Sequence, residues 1–230
     1  IRYKRFMSKI NFKLFKPFGS TMAKAELPNE LVKDFLKDLN DIRQDPKKSE
    51  NHAFGHKLAG QIYKEFLITP EVLIKWKKNF FDPIIKGYVQ THYREMPIER
   101  VLIHSGWYVV QKPGDYNCCH THTTPNNNPD LSCVGYLKFP KAMKDYKHSK
   151  EHHNTTGYIE FLEGTESIFN NANYLIQPLE KQYFLFPSNL RHTVYPFFSD
   201  NELDERISFS FNASVMFDSN NKQEKPTQEQ

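Results

Sequence analysis

Cysteine is scarce in this chain, and long apolar runs are missing. Three of the 230 residues are Cys, and Cys118 and Cys119 are adjacent. Such spacing excludes a disulfide framework and provides no second pair for the C-x2-C knuckles of a structural zinc site. It fits a reducing, intracellular (cytoplasmic) setting. No stretch approaches the roughly 20 apolar residues that cross a bilayer, and the first residues lack the apolar core of a secretory signal, so no membrane partner is expected. Phosphate loops of the G-x-x-x-x-G-K type, the G-x-G-x-x-G fingerprint and the G-x-S-x-G nucleophile turn are all missing. Nucleotide hydrolysis, Rossmann-type redox chemistry and serine hydrolysis are therefore disfavoured. Acidic residues are missing from positions 1–24, which carry Arg2, Lys4, Arg5, Lys9, Lys13, Lys16 and Lys24. The formal net charge of +4 is concentrated there, and the remainder is near neutral to slightly acidic. A solvated first strand is the simplest reading of this segment. A nucleic-acid arm, a membrane-surface arm or part of a transit peptide are the weaker alternatives. Ile1 is an unusual initiator, and Met7 is a candidate start.

What the chain does contain is enough apolar material for a folded core, with 38% hydrophobic and 14% aromatic residues. Its length suits one domain over 1–217. Residues 10–22 alternate apolar and polar up to Pro17 and read as an edge strand. A helix is expected from Asn29, taken as its N-cap, with Leu31, Phe35, Leu36 and Leu39 as the apolar stripe, ending at Asp45-Pro46. A second helical zone is expected over about 58–95, so that the helical part spans about 25–98. From 99 to 217 the period changes to two. Strands are expected at 101–111, 117–123, 133–139, 156–162, 173–177, 182–186, 192–197 and 206–217, which argues for a sandwich or barrel. Residues 141–156 form a charged loop containing His148, His152 and His153, and it reads as solvated. The tail 218–230, with no large apolar residue, is expected to be disordered.

The residues with most chemistry are His120 and His122, one apart and so on one face of a strand, with His192 far downstream. Three imidazoles can bind one metal and leave its other positions open. Arg206-Ile207-Ser208-Phe209-Ser210-Phe211-Asn212 has one apolar and one polar face, and the polar face can line a site. His104 and Trp107 read as core or rim, and Cys133 as a small buried apolar residue.

Three ordered motifs carry a family resemblance. They are Pro113-Gly114-Asp115 four residues before His120-x-His122, Phe186-Pro187-Ser188 three residues before His192-x-Val194-x-Pro196, and Arg206 to Asn212. Together they resemble the 2-oxoglutarate, Fe(II)-dependent oxygenases, most of all the small oxygenases of bacteria and phages. The resemblance implies a mainly β fold with flanking helices (α+β), built on a double-stranded β-helix (jelly-roll) core. It implies iron at His120 and His192, and 2-oxoglutarate on Arg206 helped by Ser208. Tyr136 is a candidate cosubstrate contact or, equally, a packed aromatic. His122 stands where the common pattern has Asp or Glu, and its place beside His120 makes it the expected second ligand. Fe(II), 2-oxoglutarate and O2 would then support a hydroxylase-type dioxygenase that decarboxylates 2-oxoglutarate to succinate. The alternatives are a non-catalytic jelly-roll binding module and a cupin-type metal enzyme without 2-oxoglutarate. The substrate, a small molecule or a protein side chain, and the oligomeric state are not legible; nucleic acid has only the basic start in its favour.

Overall fold

Strands with alternating side chains can serve two neighbours at once, and this chain uses both faces. The structure, a computed structural model, describes residues 10–15, 19–94, 96–124, 126–145, 155–168 and 171–218. The chain opens with β1 (Phe12–Phe15) and β2 (Met22–Glu26), then α1 (Asn29–Gln44), α2 (Pro46–His52) and β3 (Lys64–Leu67). Next come α3 (Pro70–Trp76), a π-helical turn (Lys77–Phe81) and α4 (Asp82–His92). The strand-rich part holds β4 (Ile98–Gln111), β5 (Asn117–His120), β6 (Leu131–Lys138), a short α5 (Ala142–Asp145), β7 (Ile159–Leu162), β8 (Asn173–Ile176), β9 (Gln182–Pro187), β10 (Arg191–Val194) and β11 (Arg206–Phe217). A seven-stranded sheet has the order β1-β2-β9-β6-β11-β4-β3, and a four-stranded sheet the order β5-β10-β7-β8. The two antiparallel sheets make a double-stranded β-helix, with the helices on the outer face of the larger one.

Alternation along β9 and β11 builds the layers. Tyr183, Leu185, Ile207, Phe209 and Phe211 face outward and pack with Leu31, Phe35 and Leu39 of α1 and with Phe80, Phe81, Ile84 and Ile85. Ring centroids of Phe35 and Phe209, and of Phe81 and Phe211, are each 4.7 Å apart. Each such ring contributes about 2–3 kcal/mol by leaving water. Phe184 and Phe186 point the other way, between the sheets, and meet Tyr136, Ile159 and Phe161. Gly135 lies opposite Phe209, and a Cβ there would run into the Phe209 ring. Asp38 of α1 ties the helical layer to the sheet: it accepts hydrogen bonds from Tyr108 Oη (2.7 Å) and Thr69 Oγ1 (2.7 Å). Among the described residues no helix is long and apolar enough to cross a membrane.

The structure departs from the sequence reading in several places. The expected strand over 10–22 is two strands, β1 and β2, paired antiparallel. Asn29 is the first helical residue, preceded by Pro28, and makes no side-chain cap; Asp45 instead caps α2, accepting from the N–H groups of Lys47 and Lys48. The zone 58–95 holds a strand, β3, before its helices. Residues 146–154, with His148, His152 and His153, lie outside the described residues, as does the tail from 219. Asp218 donates its backbone N–H to Pro97 O at 2.9 Å.

Candidate metal centre

Three histidines meet where the smaller sheet faces the larger. His120 ends β5 and stands directly opposite His192 on β10. His122 lies past the end of β5, in a bend rather than on the strand, and its backbone N–H donates to Ser188 O at 2.9 Å. That tie to the β9–β10 turn, not strand alternation, brings its ring to the others. One ligand atom from each of the three rings lies within 4.8 Å of the other two. The Nε2 atoms of His122 and His192 are 3.3 Å apart. No carboxylate or thiol of a described residue joins this group. Cys118 and Cys119 are exposed and take no part.

Neighbouring carbonyls fix the ring orientations. His120 Nδ1 is 2.7 Å from Cys118 O, and His192 Nδ1 is 2.9 Å from Leu190 O. A carbonyl only accepts, so each Nδ1 carries the hydrogen and each Nε2 keeps a free lone pair. Burial lowers all three pKa values. His192 falls to about 3, and His122 goes well below its ordinary value, helped by the neighbouring imidazoles. At neutral pH these are three uncharged imidazoles, the form that binds a metal. Trp107 packs against His122 with centroids 5.8 Å apart, and Phe186 and Phe161 wall His192 at 5.1 and 5.7 Å.

A cavity of about 380 Å³ opens from these rings and is lined by the polar face of β11, including Arg206, Ser208, Ser210 and Asn212. Arg206 is 1% exposed. Its Nη1 donates to Gly157 O at 2.8 Å, and its guanidinium carbon lies 5.2 Å from the centre of the Tyr136 ring. No carboxylate among the described residues pairs with it. Arg206 Nε and Tyr136 Oη are both buried without a well-formed hydrogen bond. Burial pushes the Tyr136 hydroxyl up to about 12, opposed by the nearby guanidinium, so it stays a donor. A buried cation on the cavity wall, with the buried Tyr136 hydroxyl beside it, fits an incoming carboxylate.

Of the site residues expected from the sequence, His120, His122, His192, Arg206 and Ser208 line one cavity, while Tyr136 lies outside its lining, with its ring against the Arg206 guanidinium. The sequence reading missed two others. Trp107 was assigned to core or rim, and only folding sets it against His122. Glu65 lies on β3, in a zone read as helical.

Fold and site together define a jelly-roll protein with three imidazoles gathered so that they could hold a metal ion. Residues 105–212, from β4 to β11, match the family described as "Putative 2OG-Fe(II) oxygenase". That stretch matches as a 2OG-Fe(II) oxygenase domain, an enzyme class that uses Fe(II), 2-oxoglutarate and O2. Its fold is similar to that of a prolyl-4-hydroxylase from Pseudomonas putida at 14% identity (TM-score 0.54; 90% of this chain and 94% of that one). It is also similar to a prolyl hydroxylase from Trichoplax adhaerens, solved with a hypoxia inducible factor oxygen degradation domain peptide fragment, at 14% identity (TM-score 0.54; 88% and 83%). A third is the carbocyclase SnoK from nogalamycin biosynthesis, at 11% identity (TM-score 0.52; 88% and 80%). At such identities the likeness concerns the fold. No curated protein sequence matches the chain.

Proposed function

We propose that the chain is a 2-oxoglutarate-dependent hydroxylase whose Fe(II) is held by His120, His122 and His192 and whose 2-oxoglutarate is held by Arg206, Tyr136 and Ser208. The observation that carries this is the pairing, in one cavity, of three converging neutral imidazoles with a buried guanidinium whose Nε has no acceptor. Iron and 2-oxoglutarate bound there would activate O2 to oxidise a substrate C–H bond to C–OH, with release of succinate and CO2.

The protein's own part is positional. The carbonyls of Cys118 and Leu190 hold two of the rings with Nε2 inward. The Ser188 carbonyl anchors the third through its backbone. Arg206 has a planar fork suited to bidentate contact with a carboxylate, and the rings of Tyr136 and Phe139, 5.2 and 5.7 Å from its guanidinium carbon, confine it. Ser208 is buried opposite Tyr136 in the β6–β11 register and adds a hydroxyl to the same wall. Phe186, Phe161 and Trp107 exclude water around the imidazoles.

Anaerobic isothermal titration tests the reading. Fe(II) should bind the wild type and lose at least tenfold in affinity in His122→Ala, while 2-oxoglutarate affinity should fall similarly in Arg206→Ala. Wild-type Fe(II) affinity in His122→Ala overturns the three-imidazole assignment. Iron binding that depends on His122 with 2-oxoglutarate binding indifferent to Arg206 favours a cupin-type metal enzyme.

A further inference from the structure

We propose that Glu65 is the substrate-recognition group of this cavity, and that the substrate carries a cationic nitrogen, an amine or a guanidinium. The inference rests on the oxygenase reading above and adds the chemical class of its substrate.

Glu65 is placed by the register of the larger sheet. It pairs with Val109 on β4, Val109 with Ser208 on β11, and Ser208 with Tyr136 on β6. Its neighbour Phe66 joins the outer core, so Glu65 points inward, into the same cavity as the histidines and Arg206. Two strand spacings, about 10 Å, separate it from Ser208. It therefore stands on the wall away from the proposed 2-oxoglutarate contacts. Trp107 occupies the next inward row, opposite Leu67 and against His122, on the order of 7 Å further along the sheet. A molecule reaching from Glu65 toward the imidazoles passes Trp107.

No described residue pairs with the carboxylate. Glu65 is 7% exposed, yet its side chain makes no hydrogen bond or ion pair with any described residue. Burial raises its carboxyl pKa most, and a second acid adds to that. Asp115, whose Oδ2 accepts the N–H groups of Tyr63 and Lys112 at 2.7 and 2.8 Å, acts with burial to push the Glu65 carboxyl up to about 7. A buried carboxylate without a partner is costly, and a second negative charge nearby adds to the cost. Both are relieved by an arriving cation. Phe54 and Trp107, with centroids 5.8 Å apart, line the same cavity and present ring faces that favour a cation over a neutral group. The cavity thus offers a guanidinium for the cosubstrate's carboxylate and a carboxylate for a cation on the substrate, and the two charges do not pair with each other.

The test uses matched probes in isothermal titration: N-acetyl-lysine amide and N-acetyl-arginine amide against N-acetyl-norleucine amide, a neutral analogue. Each is titrated into wild type, Glu65→Gln and Glu65→Asp, with and without Fe(II) and 2-oxoglutarate. The expected result is at least one cationic probe binding the wild type tenfold or more tightly than the neutral analogue. Glu65→Gln should lose that preference and Glu65→Asp keep part of it, with 2-oxoglutarate affinity unchanged in both. Equal binding of cationic and neutral probes, no binding of either cation, or an undiminished preference in Glu65→Gln overturns the proposal. Failure of the wild type to bind 2-oxoglutarate is read separately, from the titration of the cosubstrate itself, and bears on the Arg206 assignment.

Discussion

Removing the buried charge of Arg206 should make the ligand-free protein more stable and leave it deaf to 2-oxoglutarate. The perturbation is Arg206→Met, which keeps much of the side-chain volume. Arg206 is 1% exposed, has one hydrogen bond from Nη1 to Gly157 O and no carboxylate partner among the described residues. An uncompensated buried charge costs the folded state several kcal/mol, about 3–5 by the measured cost of leaving a buried ion unpaired. Methionine forfeits the bond to Gly157 and the attraction to the Tyr136 ring, together about 2 kcal/mol. The net expectation is a gain of about 2 kcal/mol without ligand. In a domain of this size that raises Tm by roughly 4–8 °C. The wild type should respond to 2-oxoglutarate instead, by about 2.7 kcal/mol at a hundred times Kd, while the variant should not move. Differential scanning calorimetry with and without 2-oxoglutarate reads both effects, and the order of Tm should reverse or close as the ligand is added. A variant less stable than the wild type without ligand, or shifted equally by 2-oxoglutarate, would refute the view that Arg206 is a buried unpaired charge that receives an anion.

Two further perturbations follow from the same structure. Gly135→Ala places a methyl group against the Phe209 ring in a packed layer, so urea denaturation should show a loss of about 1–3 kcal/mol; an unchanged midpoint contradicts the packing described. The raised carboxyl of Glu65, about 7 in the fold against an ordinary 4.5, contributes stability that is fully present below pH 4.5 and lost as pH rises through 7. Glu65→Gln cannot ionise, so its stability relative to the wild type should rise between pH 5 and pH 8 and approach about 3 kcal/mol. Urea midpoints at the two pH values check this, and a constant difference goes against a buried, unpaired carboxylate.

Much of the jelly roll was legible because its strands are long or sharply alternating. β11 announces two faces in Arg206-Ile207-Ser208-Phe209, and the structure puts Arg206 and Ser208 in the cavity and Ile207 and Phe209 against the helices. β3 was not legible. Its four residues, Lys64–Leu67, are too short to set a period, and Phe66 with Ile62 mimics helical spacing. Pairing with the long β4 decides the matter, and that is a tertiary effect. His122 was expected beside His120 by strand alternation, but β5 stops at His120, and a hydrogen bond to Ser188 does the positioning. No local pattern encodes that bond, nor the approach of Trp107 and Glu65 to the cavity, since both depend on the pairing of β3 with β4.

The π-helical turn at Lys77–Phe81 acts as a phase setter for the helical layer. Phe80 and Phe81 are consecutive, yet they are 1% and 0% exposed, because the widened turn lets both enter the core before α4 begins. Winding these same five residues as ordinary α-helix would rotate α4 by about 100° about its axis. Ile84, Ile85 and Tyr88 would swing away from the sheet. A one-residue deletion inside the turn should therefore leave α4 in phase, whereas one in the α-helical turns on either side should not.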